Sequence, residues 1–305
     1  MKRMPELELR PENRVYTDCW AKREEVSLGS FVHRIEGSNA QSRLLAFKYL
    51  NAGVGVLDLE HPDIDYGNID AEVKVQRAWR DYCEAERNQT GWLMRWVLHH
   101  LLPQTETIGG SRMGSQMSTL VHDRLALLAT IAIARGGDEP TFFSRDNILG
   151  PSIDTTIPLL RATCQRVHKE NLVLPNGMTE RDVYLHGLDY FEEPPKWLPR
   201  PDLQFGCKGG APLEGRIAIG VEAADASGTT PYGLIPYVFK KYGKPMQLIM
   251  VFLNAHPAGI KYMQESIDVP TTIVVGMMHL GLDLYWYLRG PGMFDGGKMR
   301  HLTIG

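Results

Sequence analysis

The sequence predicts an α/β protein built on a mostly parallel sheet flanked by helices, with a largely helical N-terminal extension. Three observations carry this. Apolar runs of strand length recur at residues 217–221, 247–253 and 271–275. Segments with apolar residues at helical spacing, 231–242 and 258–266, separate them over short connections. The first hundred residues instead mix charge with aromatic stripes at helical spacing.

A chain of 305 residues has ample material for one large domain, or one domain with an extension. With 43% hydrophobic and 23% charged residues and a formal net charge of −3, it lacks the basic excess that would neutralise nucleic-acid phosphates. Cys19, Cys83, Cys164 and Cys207 are scattered and form no CxxC pair, so neither a disulfide framework nor a zinc site is expected. No apolar stretch approaches the roughly 20 residues of a membrane helix. The N-terminus lacks a signal-peptide core, and the expected location is the cytoplasm.

Residues 42–50 read as a helix. The following Gly53 and Gly55 lack a third glycine and a preceding strand, and read as a turn into a strand rather than a nucleotide loop. Residues 61–66 form an acid-rich turn, read as a solvated loop. Residues 71–87 read as an amphipathic helix. Gly91 interrupts it, and Trp92, Trp96, Val97 and Leu101 continue the stripe until Pro103. Such a stripe packs in a core or a subunit contact. His99 and His100 are adjacent, not four apart, so they make no helical metal pair.

Residues 104–116, centred on Gly109 and Gly110, read as a linker. The chain therefore divides into an extension over 1–115 and a second unit over 116–305. Residues 120–134 read as a buried helix ended by Gly136 and Gly137, with a helix or cap at Phe142 and Phe143. Residues 156–163 form a strand ending in Arg161, for which a rim ion pair is the plain explanation, and 182–188 form another strand. The proline-rich stretch from 192 to 210 lacks periodicity and reads as a loop or lid, whose Lys196, Arg200 and Lys208 would reach over a polyphosphate.

The strand at 217–221 leads into the turn Glu222, Ala223, Ala224, Asp225, Ala226, Ser227, Gly228, Thr229, Thr230. Thr230 suits an N-cap and Pro231 the first helical position, while the small residues let backbone N–H groups converge on one point. That is how a strand–loop–helix unit holds a phosphate. The glycine-rich stretch 285–298 reads as a shaped loop presenting one acid, Asp295.

The second unit resembles uracil phosphoribosyltransferases of the type I phosphoribosyltransferase fold over about residues 118–305. Four family motifs occur in order. V-P-I-L-R-A-G corresponds to residues 157–163, and D-P-M-L-A-T-G-G-[ST] to 222–230. A-A-P-E-G-I corresponds to 255–260, and the closing Y-I-[IV]-P-G-L-G-D-A-G-D to 287–297. The resemblance implies that Ala226, Ser227, Gly228, Thr229 and Thr230 hold the 5-phosphate of phosphoribosyl pyrophosphate (PRPP). Glu222 would contact the ribose hydroxyls, with Asp225 in the same loop, and Arg161 and the turn after it would face the pyrophosphate. Tyr287, Leu288, Gly290, Gly292 and Phe294 would present the edge of a pocket for a planar base, with Asp295 near base, ribose or magnesium. Mg²⁺ would arrive with PRPP, so no resident metal site is implied.

The implied activity is transfer of ribose 5-phosphate from PRPP to a nitrogen of uracil or a related heterocycle, with pyrophosphate released, in a homodimer or other homo-oligomer. Two alternatives stand beside it: a related glycosyl-transfer enzyme with another acceptor, and a non-catalytic sensor of PRPP or a nucleotide. Glu222 stands where the family has aspartate, Thr229 and Thr163 where it has glycine, and Met293–Phe294 where it has leucine–glycine. The added bulk falls where backbone would approach phosphate.

Overall fold

The computed structural model describes residues 13–20, 32–37, 39–57, 69–101, 127–133, 137–144, 157–167 and 202–279. The acid-rich turn at 61–66, the linker at 104–116, the strand expected at 182–188, Lys196, Arg200 and the closing loop with Asp295 lie outside them.

The described elements are β1 (Arg14–Trp20), β2 (Val32–Arg34), α1 (Ala40–Leu57), α2 (Ile69–His100), β3 (Leu128–Ile133), α3 (Asp138–Ser144), β4 (Leu159–Val167), β5 (Asp202–Gly209), β6 (Ile217–Asp225), α4 (Thr229–Tyr242), β7 (Gln247–Ala255), α5 (Pro257–Ser266) and β8 (Thr271–Met278). Eight strands form one sheet in the order β2-β1-β8-β7-β6-β3-β4-β5. Every pairing is parallel except β4 with β5. The mostly parallel α/β class is thus observed.

Alternation sorts the central strands onto two cores. Ala218, Leu248, Met250, Phe252, Ile273 and Val275 pack with Leu234, Ile235 and Val238 of α4 and Ile260 and Met263 of α5. On the other face Ile217, Ile219, Val221, Ile249, Val251, Leu253 and Val274 pack with Leu93, Met94, Trp96 and Val97 of α2. A strand buried on both faces reads as an unbroken apolar run, which explains the legibility of β7 and β8.

Four expectations are corrected. Residues 128–133 are a strand, not the end of a buried helix. A continuous apolar run fits either state, and the run is set between β4 and β6. Gly53 and Gly55 lie inside α1 despite their weak helix propensity. Gly91 does not interrupt α2, which runs unbroken through it; the position is buried against the Phe143 ring of α3. Residues 202–209, expected within a lid, form edge strand β5, with Lys208 exposed on it.

Residues on both sides of position 115 share one sheet. β1 pairs with β8, and Asn13 accepts a hydrogen bond from the Thr271 N–H at 2.9 Å. Since α2 covers the face that carries Leu253 and Val274, a chain starting at Ser118 would expose that core. We expect such a truncation to lose cooperative thermal unfolding followed by circular dichroism. A truncated chain that melts as sharply as the full one would contradict this packing.

Candidate functional site

Two series of strands run in opposite directions from the middle of the sheet: β3, β4, β5 one way and β6, β7, β8 the other. The connections leaving β3 and β6 therefore diverge, and the crevice between them at the carboxyl ends is the position where open parallel sheets bind ligands.

The β6 connection is built around Gly228, which caps α4 with φ 70° and ψ 0°. A Cβ there would lie 2.1 Å from the Gly259 carbonyl oxygen, and one on Gly259 would lie 2.5 Å from that of Ala226. The loop and the first turn of α5 therefore touch backbone to backbone. Asp225, buried, accepts from the Gly228 N–H at 2.8 Å, and the Ser227 hydroxyl accepts from the Thr229 N–H at 3.3 Å. The Ser227 and Thr229 hydroxyls are 2.8 Å apart. The cap is thus Gly228 and not Thr230, which sits half-buried in the first turn. A left-handed residue closes the turn so that no hydroxyl is needed at Thr230.

His256, on the neighbouring connection, caps α5 by accepting from the Ala258 N–H through Nδ1 at 3.1 Å. Beyond β8, His279 lies buried with Nε2 2.9 Å from Asn254 Oδ1. Loss of solvation lowers its pKa from 6.5 to about 4, so it is neutral at pH 7.

Glu222 is half-buried near the end of β6, level with Phe252 of β7. Alternation puts it on the face covered by α4 and α5. Arg161 is register-matched through Ala132 to Val221, and so belongs to the opposite face. Two interstrand steps separate them, about 10 Å. The loop residues Glu222, Asp225, Ala226, Ser227, Gly228, Thr229 and Thr230 come together; Arg161 does not join them. Nor does a turn follow Arg161, because β4 continues to Val167 against β5.

Arg161 instead makes a two-point ion pair with Asp138, Nε to Oδ1 at 3.2 Å and Nη2 to Oδ2 at 2.7 Å. The hydrogen bond, then the charge of Asp138, raises its pKa. The expectation of a rim ion pair describes this geometry. Asp138 opens α3 next to Gly137, where a Cβ would come 2.2 Å from the Val221 carbonyl oxygen. The β3 connection is thus seated against β6 at one end and tied to β4 at the other. Asp138 had no sequence signal, standing 23 residues from its partner. Arg135, Gly136 and Gly137 did carry one, since an arginine followed by two glycines stands directly after an apolar run of strand length.

Among the described residues no group of three or more metal-ligating side chains occurs. No described helix is long and apolar enough to cross a membrane.

No protein-family model matches the chain, and no curated protein matches it in sequence. Solved structures do. The AQ2163 protein of Aquifex aeolicus matches with a TM-score of 0.50 and 14% identity, covering 84% of this chain and 93% of that one, and shares the fold. A purine phosphoribosyltransferase from Pyrococcus horikoshii matches with a TM-score of 0.29 and 13% identity, covering 53% and 81%. The orotate phosphoribosyltransferase of Mycobacterium tuberculosis, in complex with PRPP, matches at 0.27 and 12%, covering 63% and 89%.

Two outcomes are expected. Gly228→Ala introduces both an unfavourable φ and a backbone clash, and should lower unfolding free energy by about 2 kcal/mol or more in urea titration. Because the folded pKa of His279 lies below its ordinary value, its contribution is complete above pH 6.5 and is lost as pH falls towards about 4. His279→Gln should flatten the stability profile in that window.

Proposed function

We propose that the chain is a phosphoribosyltransferase of the type I fold, transferring ribose 5-phosphate from PRPP to a ring nitrogen of uracil or a related planar heterocycle. The observation that carries this reading is the small-residue loop from Ala226 to Thr230, set at the amino end of α4 and at the point where the two strand series diverge. Its sequence match to the family's phosphate loop adds to that placement.

In this reading Ala226, Ser227 and Thr230 present amides and hydroxyls to the 5-phosphate, supported by the positive end of α4. Asp225 is a positioning residue: its carboxylate fixes the Gly228 peptide and thereby the loop. Glu222 takes the ribose hydroxyls. The closing loop contributes Tyr287, Leu288, Gly290, Gly292 and Phe294 to the base edge, with Asp295 beside it. A transition state with positive charge on the ribose ring needs a nearby carboxylate and a neutralised leaving group, and Glu222 answers the first need.

Magnesium fits this loop only in company. It takes one or two carboxylates and completes its shell with substrate oxygens and water. Glu222 supplies one carboxylate, and Asp225 already has one oxygen committed to Gly228. When bound with PRPP, Mg²⁺ supplies charge neutralisation for the departing pyrophosphate. For the cationic partner of pyrophosphate we favour Arg135 over Arg161. Arg135 stands in sequence two residues before Gly137, the residue whose backbone meets β6, whereas Arg161 is held by Asp138. Pyrimidine salvage in the cytoplasm, by a homodimer, is the setting that goes with this reading.

A second reading, a non-catalytic PRPP or nucleotide sensor, is favoured by one feature. The amides of Gly228 and Thr229 are already accepted by side chains within the loop, so a phosphate meets fewer waiting donors.

Calorimetry with PRPP and Mg²⁺ should give saturable binding, and its absence would remove both readings. Pyrophosphate release with uracil or another base would select the enzyme. In that assay Glu222→Gln should cost at least about tenfold in kcat. Arg161→Ala should cost less than Arg135→Ala; the reverse order would return the pyrophosphate role to Arg161.

A further inference from the structure

A cavity of about 450 Å³ opens far from the phosphate loop, between the carboxyl half of α2 and the first turn of α1. This is within the range of small-molecule pockets. Trp92, Arg95, Trp96 and His99 recur at i, i+3, i+4 and i+7, so one face of α2 supplies most of a wall. The facing wall is the turn at Glu36–Gly37 and the start of α1.

That turn is held in place. The Trp96 indole N–H donates to the Glu36 carbonyl at 2.9 Å, and the Trp96 ring contacts Tyr16 of β1 at 5.0 Å between centroids. His100 stacks on Trp96 at 5.0 Å and 18°, with its Nδ1 3.7 Å from a Glu36 carboxylate oxygen. Asn39 caps α1 by accepting from the N–H groups of Gln41 and Ser42 at 2.8 and 3.1 Å. The helix terminus is therefore occupied by its own cap; the guanidinium available to a ligand is that of Arg95, while the Glu36 carboxylate on the facing wall lies beside His100. Among the described residues Arg95 is exposed and has no hydrogen-bond or ion-pair partner.

We propose that this cavity is a second small-molecule site, selective for a planar heteroaromatic ring bearing a carboxylate or phosphate. The rings of Trp92 and His99 offer flat surfaces that favour offset stacking, Trp96 is buried in the wall with them, and Arg95 offers the planar fork that pairs with an oxyanion in two-point geometry. The site is not the substrate site. β1 and β2 lie three and four strands from β6, about 14–19 Å at the usual spacing, so no ligand held by the Ala226–Thr230 loop reaches it. One turn before Trp92, Gln89 donates to the Leu253 carbonyl at 3.3 Å, and its amide occupies the space over Gly276. The same helix that lines the cavity thus contacts the carboxyl halves of β7 and β8. The proposal stands independently of the transferase reading.

The test is ligand-observed NMR on the full chain with heteroaromatic anions, including quinoline-2-carboxylate and indole-3-carboxylate, each beside its uncharged parent. Anions should bind saturably and their parents at least tenfold more weakly. Arg95→Glu should abolish anion binding and Arg95→Gln weaken it about tenfold, with melting temperature unchanged because the residue is exposed. Glu222→Gln should leave binding intact. No binding by any anion, binding indifferent to Arg95, or binding lost in Glu222→Gln would each overturn the proposal. PRPP binding by calorimetry reads the other site separately.

Discussion

The contact of Gly228 with Gly259 is the constraint on which the candidate site depends. Neither position admits a Cβ, because each would drive into the other's backbone. The β6–α4 loop and the α5 terminus are consequently fixed against each other, and the remaining contacts follow from that closeness. The His256 N–H reaches the Asp225 carbonyl at 2.9 Å, and the Tyr232 N–H reaches the Gly228 carbonyl at 3.0 Å. Asp225 then closes the turn from inside. The loop's shape is set by backbone proximity, with the Ser227 and Thr229 hydroxyls paired inside it and Ala226 and Thr230 half-buried at its flanks.

The opposite face of the sheet is organised by polar side chains buried among apolar ones. Ser42 of α1 donates to Asp18 of β1 at 3.1 Å, and the hydroxyls of Tyr49 and Tyr82 meet at 3.0 Å. Tyr82 also donates to the fully buried Glu86 at 3.1 Å. Such groups add little net stability, but mispairing any of them inside a core costs heavily. They fix how α1 and α2 lie on the sheet. Hence Gln89 meets Leu253, and the aromatic face from Trp92 to His99 meets the turn after β2. The described residues before position 102 thus supply strands β1 and β2 to the sheet as well as helices that cover it.

Sequence pattern made β6, β7 and β8 legible because strands buried on both faces must be unbroken apolar runs, and α4 and α5 because their apolar positions keep helical spacing. The same pattern misread β3. Residues 125–134 are apolar but for Thr130, and periodicity cannot separate a buried strand from a buried helix. β2 and β5 at the two edges, and β1 beside β2, were missed because strands at and next to a sheet edge carry mixed residues. Their pairing is decided by distant partners, as with Asn13 and Thr271. The loop from Ala226 to Thr230 was legible as composition, yet the cap was misplaced: Thr230 looks like a cap in isolation, whereas Gly228 is one only because Gly259 stands against it.

Arg161 shows that a motif's residue order and the direction of its side chain are separate matters. A motif fixes residue order along one strand; chemistry requires that the side chain face the right gap. β4 carries the family-like arginine, but two features withdraw it from the crevice. Its register puts it on the α2 and α3 face, and Asp138 holds both edges of its guanidinium. That ion pair still serves the crevice indirectly, because Asp138 begins α3 immediately after Gly137, whose backbone lies against Val221. The pair anchors the β3 connection at the boundary between the two strand series. An exposed ion pair adds little stability by itself. Here its consequence is positional: it fixes where the β3 connection meets β6, and so which residues of that connection can approach a ligand in the loop.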